Sequence, residues 1–231
     1  MNDGDGRFDE CWPWVNVGAD IKLHTLDIDL VDLDSDFDLD VFASIRNSQA
    51  RVYRNNLQAD GSFPSNAFSD ITQTALLNTG ATLSGTCNYE MEFGDVDGDF
   101  DVYAKNYAGF QDRILRNNGN LTFDMFDWIQ NDPNQDENEC DFLDFDNDGD
   151  LDVFMANFSG TNNLFVSGLA QGMSGVDLYH RAGVAGGLYP HPETPTSGNG
   201  GTTLDGECAD MDGDGDTDIL LSNDGNQQNR Y

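Results

Sequence analysis

The chain has 231 residues, of which 38% are hydrophobic and 11% aromatic, enough for the core of one all-β domain or two small ones. Forty-three acidic against ten basic side chains leave a formal charge of −33, which excludes nucleic acid and anionic membrane surfaces as partners because both demand basic surface. No run approaches the roughly 20 apolar residues of a membrane-spanning helix, and the N-terminus lacks a basic-then-apolar export pattern.

In chain order, Asp3-Gly4-Asp5-Gly6-Arg7-Phe8-Asp9 looks like the tail of an acidic loop, and Cys11-Trp12-Pro13-Trp14 follows as an aromatic cluster suited to core packing. Leu26, Ile28 and Leu30 alternate with Asp27 and Asp29, which predicts a strand with two unlike faces. The first full acidic loop, Asp32 to Val41, holds Asp32, Asp34, Asp36, Asp38 and Asp40 at alternate positions, with Phe37 in the sixth place. Residues 64–86 are polar around Ile71, Ala75, Leu76 and Leu77 and fit an outer strand, a short helix or an insertion.

A second loop, read from Phe93 to Val102, carries Asp95, Asp97, Asp99 and Asp101, with Gly98 in the sixth place and Phe93 where the first Asp belongs. It is either a weaker site or a shortened loop in a different frame. Phe123 to Trp128 predicts aromatic packing between sheets, and 131–138 a connector. The third loop, Asp144 to Val153, has Asp144, Asp146, Asp148, Asp150 and Asp152 with Gly149 sixth. The fourth, Asp210 to Ile219, has Asp210, Asp212, Asp214, Asp216 and Asp218 with Gly215 sixth. Between them, 167–207 is rich in Gly, Pro, Ser and Thr, and loops of such length are functional or disordered.

Carboxylates at this density require a counter-charge. Two of them about 4 Å apart repel by roughly 1 kcal/mol in water and about 4 kcal/mol at an effective dielectric near 20, so an ion-free loop would splay. Calcium takes six to eight oxygens in flexible geometry, and alternate Asp residues supply them. An EF-hand is excluded, since position twelve is Ala43, Met155 or Leu221 where a bidentate Glu is required, and the flanks are β-rich runs. Glycine at position six points to a left-handed turn, in which Phe37 would be strained. The loops recur at intervals of roughly 30 to 65 residues, one small sheet per repeat.

With Arg51-Val52-Tyr53-Arg54-Asn55-Asn56 and Arg113-Ile114-Leu115-Arg116-Asn117-Asn118-Gly119 following the loops, and Phe63 and Phe123 after the Asn-Asn turns, the chain resembles FG-GAP/VCBS repeats. The resemblance implies an integrin-α-like β-propeller of about four to five blades, incomplete at its ends. Its repeats would be 1–25 (partial), 26–86, 87–136, 137–205 and 206–231 (partial). It also implies that the first, third, fifth and ninth loop residues bind calcium through side chains and the seventh through its carbonyl, for about four ions in all. Closure at Gln228-Asn229-Arg230-Tyr231, where a strand should continue, suggests a fragment of a larger protein.

Cys11, Cys87, Cys140 and Cys208 have no Cys-x-x-Cys spacing, so zinc or redox chemistry is unsupported; disulfides and buried thiols both stay open. His24, His180 and His191 are isolated, and no nucleophile-base arrangement is legible. Asn120-Leu-Thr122 and Asn157-Phe-Ser159 fit the glycosylation acceptor pattern. The expectation is an extracellular or cell-surface binding or adhesion module with structural calcium and a protein or carbohydrate ligand. Two rivals stand beside it. One is a subunit of an extracellular assembly, self-associating through open sheet edges. The other is a polysaccharide-acting enzyme, which a cluster of carboxyls with shifted pKa values would favour.

Overall fold

The computed structural model describes residues 24–46, 48–62, 64–77, 88–106, 113–128, 137–158, 162–169, 172, 179–181 and 203–224. These form four antiparallel sheets whose strands follow one another in sequence order. Sheet 1 comprises β1 (Thr25–Val31), β2 (Asp40–Ile45), β3 (Arg51–Asn55) and β4 (Phe68–Asp70). A single helical turn, α1 (Thr72–Ala75), follows it, so the polar segment after residue 64 holds both an outer strand and a short helix. Sheet 2 comprises β5 (Asn88–Asp95), β6 (Phe100–Asn106), β7 (Arg113–Asn117) and β8 (Phe123–Trp128). Sheet 3 comprises β9 (Glu137–Leu143), β10 (Asp152–Asn157), β11 (Asn163–Ser167) and β12 (Tyr179–Arg181), and sheet 4 has β13 (Thr203–Ala209) and β14 (Asp218–Asn223). β12 and β13 both occupy the long stretch that reads as irregular in sequence.

The first strands β1, β5, β9 and β13 lie against one another in order, and the sheets stack face to face behind them. Three apolar cores fill the gaps. Phe42 of sheet 1 meets Phe93 and Phe123 of sheet 2 edge-on, with ring centroids 5.5 and 5.7 Å apart, a favoured aromatic geometry. Ile114 of sheet 2 packs with Cys140, Val153, Met155 and Phe165 of sheet 3, and Phe154, Leu164 and Val166 of sheet 3 pack with Leu221 of sheet 4. Close approach requires small residues: a Cβ on Gly94 would lie 2.7 Å from the Phe142 ring, and one on Gly206 would lie 2.5 Å from Phe154.

β1 alternates as its sequence predicts. Its aspartates, however, are the half-buried face, because they turn toward β5, where Asp27 Oδ2 accepts the Met91 N–H at 3.2 Å. Leu26, Ile28 and Leu30 face away and are exposed. Ile28 pairs with Ala43 as Met91 pairs with Ala104 and Cys140 with Met155. Met91 and Cys140, at that same register position, are fully buried between sheets.

Candidate metal centres

Each acidic loop joins the first strand of a sheet to the second. Val31 pairs with Asp40, Leu143 with Asp152 and Ala209 with Asp218, so loops 32–39, 144–151 and 210–217 are equal in length. Their flanks are strands on both sides, unlike the helices of an EF-hand.

The three loops repeat one hydrogen-bond scheme. The first Asp accepts two loop amides: Asp32 from Asp36 and Phe37, Asp144 from Asp148 and Gly149, and Asp210 from Gly213 and Gly215, at 2.7 to 3.1 Å. The fifth accepts the N–H two residues on, Asp36 from Asp38, Asp148 from Asp150 and Asp214 from Asp216. The ninth reaches back to the second residue: Asp40 to Leu33 N–H (3.2 Å), Asp152 to Phe145 N–H (2.8 Å) and Asp218 to Met211 N–H (3.0 Å).

In sheets 1 to 3 the other oxygen of the ninth Asp holds the end of the third strand, through Asn55 N–H to Asp40, Asn117 N–H to Asp101 and Ser167 N–H to Asp152, at 2.7 to 2.8 Å. This residue clamps three chain segments and is almost wholly buried in each case.

Two backbone demands set the loop composition. Position six is left-handed, with φ of 93° at Gly149 and 98° at Gly215, and Phe37 adopts φ 70° in its place, as expected. Position four is left-handed too, at Ser35, Asn147 and Gly213. Sequence reasoning missed this second demand; the Ser, Asn and Gly found there are its signal.

The second loop is the shortened form. Gly94 pairs with Asp101, leaving 95–100 in place of eight residues. Asp95 accepts the Gly98 N–H at 2.6 Å as Asp210 accepts Gly213, and Val96 bonds Asp101 as the other second residues bond their ninth Asp. Asp95 is therefore the first residue of this loop and Gly98 takes the fourth place. Phe93 is a strand residue packed on the core, not a substituted ligand.

Three carboxylates each from Asp32, Asp34 and Asp36, from Asp144, Asp146 and Asp152, and from Asp210, Asp212 and Asp218 bring ligand oxygens within 4.8 Å of one another. Among the described residues loop 95–100 forms no such group. Asp40 is not one of the first triad and serves as the clamp described above. Asp38, Asp99, Asp150 and Asp216 also lie outside the triads. Asp3, Asp5 and Asp9 fall outside the described residues, as do Cys11, Cys87, Phe63 and His191.

Asp34 Oδ1, Asp38 Oδ1 and Asp146 Oδ1 are buried without a hydrogen-bond partner. Burial raises the pKa of Asp34, Asp38 and Asp146 above the usual carboxylate range, and neighbouring aspartates raise them further. Burial likewise pushes Asp40 up to about 6 and Asp101 and Asp152 up to about 7, against the N–H bonds that favour their charged forms. Buried, unpartnered oxygens of one sign, grouped with no nitrogen or sulfur donor, fit a hard divalent cation.

A second acidic group lines the first strands. Asp29 (β1), Glu92 (β5), Asp141 (β9) and Glu207 (β13) occupy one register position, opposite Phe42, Tyr103, Phe154 and Leu220. Burial, with Asp27, Glu92 and Glu90 nearby, pushes Asp29 up to about 8; burial, with Asp141, Glu90 and Asp27, pushes Glu92 up to about 7. Asp141 is also raised by burial, while accepting the Cys208 N–H at 2.7 Å.

Cys140 is a buried cysteine and Cys208 a half-buried one, both with the thiol reduced. Asn157 is fully buried, which removes it as a glycosylation acceptor in the folded chain.

Residues 144–221, which run from the third loop through β10, β11, β12, β13 and the fourth loop into β14, match the FG-GAP-like repeat. No curated protein matches the chain.

Proposed function

We propose that this chain, with its FG-GAP-like repeat over residues 144–221, is a calcium-stabilised β-propeller module that works outside the cell as a binding or adhesion unit. The observation that carries this reading is the convergence of three carboxylates in each of three loops built to one scheme, with buried unpartnered oxygens at Asp34 and Asp146. Asp32, Asp34 and Asp36; Asp144, Asp146 and Asp152; and Asp210, Asp212 and Asp218 would hold the ions. The shortened loop, through Asp95, Asp97 and Asp101, would make a fourth site.

Bound calcium supplies the counter-charge that lets these carboxylates stay ionised and close together. The chain's own contribution is the clamp: Asp40, Asp101, Asp152 and Asp218 tie each loop to its sheet, so ion binding and sheet order are linked. Calcium is structural in this reading, and the ligand, a protein or a carbohydrate, is held elsewhere. Sheets stacked about their first strands support a propeller arrangement, with one repeat per sheet. In this reading the last repeat takes in the whole of β13, Thr203–Ala209.

Calcium bound at equilibrium, measured by dialysis at 0.1 to 3 mM free ion, tests the proposal, because extracellular modules work at dissociation constants of about 0.1 to 1 mM. Three to four ions per chain, with magnesium failing to compete, is the expected result; fewer than one ion contradicts it.

Each rival has one observation in its favour. Among the described residues, exposed Ile28 at one end of the stack and exposed Leu220 at the other occupy the register positions of Met91 and Cys140 and of Phe154, which are fully buried between sheets, and this favours a subunit of an assembly. A mass in solution that rises with concentration would support that reading. The raised carboxyls Asp29 and Glu92 favour an enzyme acting on polysaccharide, and turnover abolished by Asp29→Asn or Glu92→Gln would support it.

A further inference from the structure

The loops differ in one feature outside their own sequences. Register places Arg54 of β3, Arg116 of β7 and Val166 of β11 at the same point of the third strand, next to the residue clamped by the ninth Asp. Arg54 extends into loop 32–39, where its Nη2 lies 3.4 Å from Asp34 Oδ2 and 3.7 Å from Asp36 Oδ2. Arg116 does the same in the shortened loop, with Nε 2.8 Å from Asp97 Oδ2. Asp34 and Asp97 are both third-position residues. In sheet 3 the side chain is Val166, buried in the same core cluster as Leu221, so the equivalent position sends no guanidinium to Asp146; Oδ1 of Asp34 and of Asp146 is unpartnered in both loops, and the difference lies in the arginine.

We infer that Arg54 and Arg116 are built-in counter-ions that compete with the metal for the third-position carboxylate and so set the order in which the loops fill. The inference rests on the calcium reading above. A guanidinium in salt-bridge contact neutralises part of the charge that attracts the ion and repels the divalent cation directly. Both arginines are about half exposed, at 46% and 48%, so each can swing into solvent when the ion arrives. Displacing it costs binding free energy that loop 144–151 does not spend. Loop 144–151 therefore fills first, while loops 32–39 and 95–100 respond only at higher calcium.

Alternatives act in the opposite direction. An arginine that merely organised the loop from behind would strengthen binding, and its removal would weaken the site. A surface ion pair of no consequence would leave the midpoint unchanged.

The test is a calcium titration followed by amide resonances in the full chain, with Phe37 reporting loop 32–39, Gly98 loop 95–100 and Gly149 loop 144–151. In the parent protein the Gly149 midpoint should fall at several-fold lower calcium than those of Phe37 and Gly98. Arg54→Gln should lower the Phe37 midpoint about tenfold and leave Gly149 unmoved. Arg116→Gln should do the same for Gly98, and Arg54→Lys should keep most of the parental midpoint. Both residues are exposed enough that the Gln variants keep the fold, which the unperturbed Gly149 resonance checks. Equal midpoints in the parent protein, or an Arg54→Gln midpoint that stays or rises, would overturn the inference. If no amide responds to calcium, the calcium reading itself falls first.

Discussion

The backbone N–H of Ser167 donates to Asp152 Oδ1 at 2.7 Å, and the other oxygen of the same carboxylate accepts from Phe145 at 2.8 Å. One fully buried side chain thus fastens the loop start and the end of the third strand to the head of the second. Asp152→Asn leaves one amide facing an NH₂ group, and an unsatisfied buried donor costs about 1–3 kcal/mol. Urea unfolding in the presence of chelator should show a loss of that size, separating the clamp from any loss of ion binding. An unchanged midpoint would mean that the clamp is dispensable.

Phe37 holds φ 70° while its ring is 97% exposed, so the side chain gains little from packing and keeps the left-handed strain. Phe37→Gly should stabilise the ion-free protein by about 1 kcal/mol. The same denaturation experiment measures it, and a loss of stability would show that the ring makes a contact of its own.

The first-strand carboxyls predict a pH dependence opposite to that of ordinary salt-bridged acids. Because Asp29 is raised to about 8 and Glu92 to about 7, their stabilising contribution is complete below the unfolded value near 4 and is lost as pH rises through 7 to 8. Asp29→Asn should therefore gain stability over the parent at pH 9 and match it below pH 4. Allowing for solvent screening, the gain is about 1 kcal/mol, or about 2–4 °C in Tm. Asp27 and Glu90 remain ionisable beside it, so the wall is discharged only in part.

Gly206 lies under Phe154 and Gly94 under Phe142, each with no room for a Cβ. Gly206→Ala should cost about 1–3 kcal/mol by forcing sheets 3 and 4 apart, with Gly94→Ala doing the same between sheets 2 and 3. Thermal melts of both variants check this. Neutral substitution would mean that the sheets slide freely.

Much of the candidate site was legible because a ligand loop is local: five alternate carboxylates and one glycine are visible without any tertiary contact. The frame of the second loop was not. Carboxylates recur every two residues, so deleting two residues slides Asp onto Asp positions and conceals the gap; only the pairing of Gly94 with Asp101 discloses it. The two faces of β1 were readable from alternation, but which one is covered depends on the neighbouring sheet: β5 offers Asp27 the Met91 amide, while its carboxyls oppose the charged form of Asp29. The contrast between Arg54 and Val166 was hidden for a similar reason, since strand register alone shows that they are equivalent.

A thermal melt of the chain in millimolar calcium, in magnesium and in chelator tests the central claim most directly. The account predicts a Tm several degrees higher in calcium than in magnesium or chelator, because binding to the folded loops alone shifts the unfolding equilibrium. Coincident melts in all three conditions would contradict it, leaving the repeated aspartates as acidic turns held by their own backbone.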